Sequence, residues 1–168
     1  MSMSGGTPVL NPLGLAAIDD VQTTRDISRI MAKEALALGV NRNFTPVLDI
    51  NAAIRSAIVA TCGFGRDVDM IKRHALAQIA VFQAHGLAAT AKHWPGEGFD
   101  DRDQHLVTTV NPLGMDEWEA DFGTLYRAAI NAGVLSVMSA HIALPAFVRQ
   151  QNPAAGVEVS APRRSVMP

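Results

Sequence analysis

The sequence predicts an α/β protein in which parallel strands are joined by helical crossovers. Three observations carry that expectation. A helix–glycine–strand junction occurs three times, at Leu38-Gly39-Val40, His85-Gly86-Leu87 and Ala132-Gly133-Val134, at one constant interval. The strands that follow are nearly continuous in apolar residues, the pattern of strands covered by helices on both faces. Polar groups close each strand: Asp49 and Asn51, Lys92 and His93, Ser139 and His141. Two architectures satisfy this pattern. A (β/α)8 barrel gathers its chemistry at the C-terminal rim, and a doubly wound sheet also binds ligands at strand C-termini.

Residues 1–24 are rich in Gly, Pro, Asn and Thr and read as a loop-rich N-terminal segment with little core. From Arg25, the residues Ile27, Ile30, Met31, Ala35 and Leu38 recur at helical spacing, and Gly39 is placed to end that helix. The run Phe44-Thr45-Pro46-Val47-Leu48-Asp49-Ile50 is β-prone, but Pro46 removes a ladder donor, so the strand is expected to be irregular. A second helix spans about Val68 to Ala84, with Ile71, Ala75, Ile79 and Phe82 on its buried face, and a strand over Leu87 to His93 follows. A third helix starts near Met115, burying Trp118, Phe122, Leu125, Ala129 and Ile130, and leads to a strand over Val134 to His141. The segment 25–148 therefore carries the repeating βα pattern. Residues 149–168, with Pro153, Pro162 and Pro168, have no periodicity and read as an irregular tail.

Composition narrows the class. Apolar residues at 48% and charged ones at 18% describe a globular chain. A net charge of −2 supplies no basic field for nucleic acid and no polybasic membrane patch. The single cysteine, Cys62, leaves no internal disulfide framework and no multi-cysteine zinc site. No apolar run approaches the roughly 20 residues that span a bilayer, and the start lacks a signal-peptide pattern, so the expected compartment is the cytoplasm.

The chemistry concentrates in Ala88 to His105. A strand delivers Lys92 and His93, breaks at Pro95, Gly96 and Gly98, and opens a loop holding Asp100, Asp101, Arg102, Asp103 and His105. In extended backbone, residues i and i+2 project to one side. Asp103 is thus placed to accept from one ring nitrogen of His105 and leave the other for a substrate, which suits general acid–base work. The plainer alternative is a solvated acidic loop. Lys92 and His93 are placed to bond the hydroxyls of a polar ligand, or, equally, to be satisfied by a loop carboxylate and the core. His93, Asp103, His105 and His141 lack a tight metal-ligand pair, so no metal or other cofactor is expected. His74 and His85 read as surface or packing residues, and Trp118, Phe122 and Tyr126 as core.

Lys92-His93-Trp94-Pro95-Gly96-Glu97-Gly98, followed by Asp103-Gln104-His105, closely resembles the signature of glycoside hydrolase family 3, in its bacterial β-N-acetylhexosaminidase branch. Asn43 to Asn51, Ile58 to Thr61 with Phe64-Gly65, and Ser139-Ala140-His141 with Leu144-Pro145-Ala146 extend the resemblance over about Pro12 to Val148. The resemblance implies a partial TIM-like (β/α)8 barrel. It also implies a retaining glycosidase that removes terminal β-linked N-acetylglucosamine in cell-wall or chitin-fragment turnover. The expected partner is a small carbohydrate, with no nucleic acid and no membrane. His105 would be the acid/base, oriented by Asp103, and Lys92 and His93 would grip the sugar hydroxyls. A sugar-binding remnant without catalysis and, further off, a metal-dependent barrel hydrolase are the alternatives. The family's nucleophilic aspartate and its Glu-Gly-Gly turn have no match here, and Cys62 stands where the family usually has an arginine. The chain is accordingly expected to be an internal fragment, inactive by itself.

Overall fold

The computed structural model describes residues 5–53, 55–56 and 58–154. A short helix and the first turn of a long one lie where the sequence suggested loop. The segment 1–24 is corrected: α1 spans Pro12–Ile18, and α2 runs Val21–Ala37. The polar and proline residues that suggested loop are caps. The Asn11 side chain accepts from Gly14 N, Pro12 occupies the first turn, and Asp20 accepts from the backbone of Gln22 and Thr23. A proline in the first turn and Asn or Asp at the N-cap are favourable, because the donors there lack intrahelical partners. Leu15 and Ala16 are buried, so the segment adds to the core.

Helix α2 also buries a different stripe from the one expected. Thr24, Ser28, Ala32 and Ala35 are covered, Ile27 and Met31 are only partly so, and Leu38 lies 67% exposed past the helix end. Small residues let α2 approach α3 (Val68–Ala84) closely enough for the Thr24 hydroxyl to lie 2.7 Å from Nδ1 of the fully buried His74. Helix α3 has the expected bounds, begins at the Asp67 cap, and buries Ile71, Ala75, Ile79 and Phe82.

The strands are parallel and short. β1 (Thr90–Trp94) pairs with β3 (Ser136–Ser139), while β2 (Thr109–Val110) pairs with β4 (Ile142–Ala143). The segment around Pro46 lies along β1's other side, held by backbone hydrogen bonds such as Thr90 N to Thr45 O and by isolated parallel bridges, Arg42 with Ala88 and Val47 with Lys92, rather than as a regular strand. Three neighbouring parallel segments thus share one order in space and sequence. Leu87, Ala89 and Ala91 are fully buried. The two alanines share one buried cluster with Ile71, Phe82, Trp118 and Phe122.

The third helical stretch is composite: α4 (Met115–Trp118), a π-helical segment (Glu119–Gly123) and α5 (Thr124–Asn131). Trp118, Phe122, Leu125, Tyr126 and Ala129 form its buried face, while Ile130 faces outward, 58% exposed. Helix α6 (Pro145–Gln151) continues past residue 148, so the expected tail begins inside a helix, and its remainder from Ala155 on lies outside the described residues. The described residues do not close a barrel. Val137 on β3 and Leu135 just before it are exposed. Among the described residues no helix is long and apolar enough to cross a membrane.

Candidate active site

Asp49 lies between the core residues Leu48 and Ile50, and that pair anchors it at the C-terminal end of its strand. Leu48 N donates to Lys92 O at 2.7 Å and Ile50 N to Glu97 O at 3.2 Å. Asp49 itself is fully buried and accepts three hydrogen bonds: from His93 N at 3.1 Å, from His93 Nδ1 at 2.6 Å and from Glu97 N at 2.9 Å. The buried carboxyl is satisfied by three donors without water. It also fixes the tautomer of His93, since Nδ1 carries the proton and Nε2 is left for another partner.

The turn after β1 is built by glycines. A Cβ on Gly98 would lie 2.0 Å from the carbonyl oxygen of Ile50, and one on Gly96 would lie 2.4 Å from the Phe122 ring. Both also have positive φ, a conformation that glycine adopts without penalty. The π-helical segment brings Phe122 under this turn, and the Trp118 indole donates to Pro95 O at 2.7 Å. The peptides Thr45–Pro46, Lys92–His93 and Trp94–Pro95 are cis.

Beyond the turn, Asp103 Oδ1 accepts both from the backbone N–H of His105 at 2.8 Å and from its ring Nδ1 at 2.7 Å. The expected carboxylate–imidazole contact is therefore present. The backbone N–H of His105, then its ring, holds the Asp103 carboxyl below the usual carboxylate range. The His105 side chain is 69% exposed, with Nε2 directed away from Asp103's bond. Lys92 lines a cavity of about 780 Å³ together with Arg42, Asn43, Thr45, Cys62 and Gln78. His93, Asp103 and His105 are not on that cavity's wall. Of the four expected site residues, Asp103 and His105 form one hydrogen-bonded pair, His93 is paired with Asp49, and Lys92 lies on the wall of the separate cavity.

Reasoning from sequence missed Asp49 as the partner of His93, and it passed over Glu97 and Gln104 altogether. Glu97 is 3% exposed and receives a 2.7 Å hydrogen bond on Oε2 from Gln104 Nε2. Desolvation, followed by repulsion from Asp49, Asp103 and Asp100, pushes its carboxyl up to about 8. Asp49, His93 and Glu97 also bring ligand-type atoms within 4.8 Å of one another. Their hydrogen bonds already occupy Asp49 and His93 Nδ1, the contacts a cation would need. On this geometry the class is an α/β protein with acid–base groups gathered where parallel strands end.

Comparison with known proteins gives the family. The chain belongs to glycosyl hydrolase family 3, whose N-terminal domain matches residues 1–160. It is 44% identical over 147 residues to a Beta-N-acetylglucosaminidase/beta-glucosidase of Cellulomonas fimi, covering 88% of this chain and 26% of that protein. A Beta-hexosaminidase of Neisseria gonorrhoeae is 32% identical over 143 residues, covering 82% of this chain and 39% of its own length. Among solved structures, the beta-glucoside phosphorylase BglX superposes with a TM-score of 0.90 at 38% identity, over 94% of this chain and 28% of that one. NagZ from Neisseria gonorrhoeae, solved with N-trifluoroacetyl-D-glucosamine, gives 0.79 at 30% identity, over 86% of this chain and 44% of that one. The chain therefore spans well under half the length of these relatives.

Proposed function

We propose that this chain is part of a retaining β-N-acetylhexosaminidase that releases terminal β-linked N-acetylglucosamine. The observation that carries the reading is the Asp103–His105 pair. Asp103 accepts a hydrogen bond from Nδ1–H, so Nε2 of an exposed imidazole is the atom left to exchange a proton with substrate. Asp103, held in its ionised form, balances the charge that appears when the ring is protonated.

In the first step the doubly protonated ring, its Nδ1–H still on Asp103, gives its Nε2 proton to the glycosidic oxygen as the C1–O bond breaks. The electron pair leaves with the aglycone, and a carboxylate nucleophile forms the new bond to C1. In the second step Nε2 takes a proton from water, whose oxygen attacks C1 and releases the carboxylate. Lys92 and His93 hold sugar hydroxyls, the latter through the Nε2 that Asp49 leaves free. The nucleophile matches no residue of this chain, so the 168-residue chain by itself is expected to be inactive. Hydrolysis of an aryl N-acetyl-β-glucosaminide by the enzyme carrying this chain tests the reading. Turnover unchanged by His105→Ala would refute it.

A second reading, sugar binding without turnover, is favoured by one observation. Cys62 is exposed and lines the cavity of Lys92, where the resemblance expects an arginine's charged fork. Retained N-acetylglucosamine binding with no hydrolysis in the enzyme would select it.

A further inference from the structure

We propose that Glu97 is a positioning residue which, through Gln104, fixes the Asp103–His105 pair relative to the Asp49–His93 pair. The inference rests on the role proposed above for His105. Between Phe99 and Thr108 only one side chain is buried, that of Gln104, in the middle of the Asp103-Gln104-His105 run. Its 2.7 Å bond to Glu97 pins this stretch to the core, and its two neighbours are left facing outward. The other contacts of the turn are local, with Leu106 N and Val107 N both donating to Asp103 O. Without Gln104 the turn loses its attachment, and the Asp103–His105 contact, then held by local bonds alone, loosens.

Glu97 is equally committed at its other end. Its backbone N–H donates to Asp49, its carbonyl accepts from Ile50, and its Oε2 lies 3.8 Å from His93 Nδ1. The groups facing it are Asp49 from the preceding strand, His93 from β1, and Asp100 and Asp103 from the following loop. In that company Glu97 is neutral at pH 7. Glu97 Oε1 and Gln104 Oε1 are buried acceptors with no donor. The carboxylic-acid proton supplies the donor that this acid–amide pair lacks. Glutamine at 97 would reproduce the neutral acid's shape and offer a donor as well as an acceptor.

The test reads the ring of His105 directly, in the 168-residue chain and with no substrate. Nitrogen-15 NMR reports whether the neutral ring carries its proton on Nδ1 or Nε2, and amide hydrogen exchange reports how firmly the turn is held. Glu97→Gln should keep the Nδ1–H form and wild-type exchange. Glu97→Leu and Gln104→Ala should shift the ring towards Nε2–H and raise exchange at His105 and Leu106 at least about tenfold. The Trp118 indole signal, fixed by its bond to Pro95, certifies the fold of each variant, and Gln104→Ala decides alone if Glu97→Leu unfolds. Wild-type tautomer and exchange in a folded Gln104→Ala would overturn the proposal, as would Glu97→Gln behaving like Glu97→Leu. Absence of glycoside turnover would leave these signals in place, so the two readings fail separately.

Discussion

Asp49 and His93 lie 44 positions apart in the chain and 2.6 Å apart in space, the acid fully buried and the imidazole nearly so. The pairing joins two neighbouring parallel strands at their C-terminal ends. Asp49→Ala would leave three donors unpaired in the interior, at a cost of at least about 3 kcal/mol. Urea denaturation of the chain measures this. A loss below about 1 kcal/mol, roughly that of a single exposed hydrogen bond, would show that water reaches the site.

His105→Ala separates chemistry from folding. The ring is exposed and bonds only to its own turn, so stability should change by no more than about 0.5 kcal/mol. In the enzyme carrying this chain, kcat should fall by at least about 10²-fold, the usual scale of a lost general acid. Parallel denaturation and steady-state kinetics check the two halves.

Glu97 gives the chain a pH signature. Its carboxyl is raised from 4.5 to about 8, so between those values the folded chain holds a proton that the unfolded chain has released. Stability from this group is complete below pH 4.5 and declines as pH rises to 8, by up to about 1.4 kcal/mol per pH unit. Glu97→Gln should flatten that decline. Denaturant midpoints between pH 5 and 8, wild type against variant, provide the measurement.

Gly98→Ala should damage the site more than its size suggests. The added methyl would meet the Ile50 carbonyl at 2.0 Å, at a residue with φ of +109°. A loss of more than about 2 kcal/mol is expected, with the Glu97 and Asp49 contacts disturbed together. Thermal unfolding tests the loss, and His93 chemical shifts test the disturbance.

Asp67→Ala removes the acceptor for Met70 N at the start of α3 and should cost about 1 kcal/mol with no effect on the His105 ring. The same NMR spectra serve as the control for the site variants.

How much was legible follows from the range of each interaction. Asp103 and His105 are two residues apart, so backbone geometry alone brought them together. Helix α3 could be read end to end because Ile71, Ala75, Ile79 and Phe82 recur at helical spacing and Gly86 ends it. Asp49 was visible as a polar strand end, yet its bond to His93 depends on strand adjacency, which no local pattern encodes. Glu97 and Gln104 look like ordinary loop polars until burial sets them apart. In residues 1–24, Asn11, Pro12 and Asp20 looked like loop because capping residues and turn residues are the same amino acids. The stripe of Thr24, Ser28, Ala32 and Ala35 escaped notice because close helix contact selects for smallness, where hydropathy looks for bulk.

The turn that carries these groups draws on the chain between Asp49 and Phe122, with Gly98 against Ile50 and Gly96 against Phe122. On a ribosome, which releases chains N-terminus first, that interval emerges as one block. The contacts among Asp49, His93, Glu97 and Gln104 can therefore form while later residues are still being made.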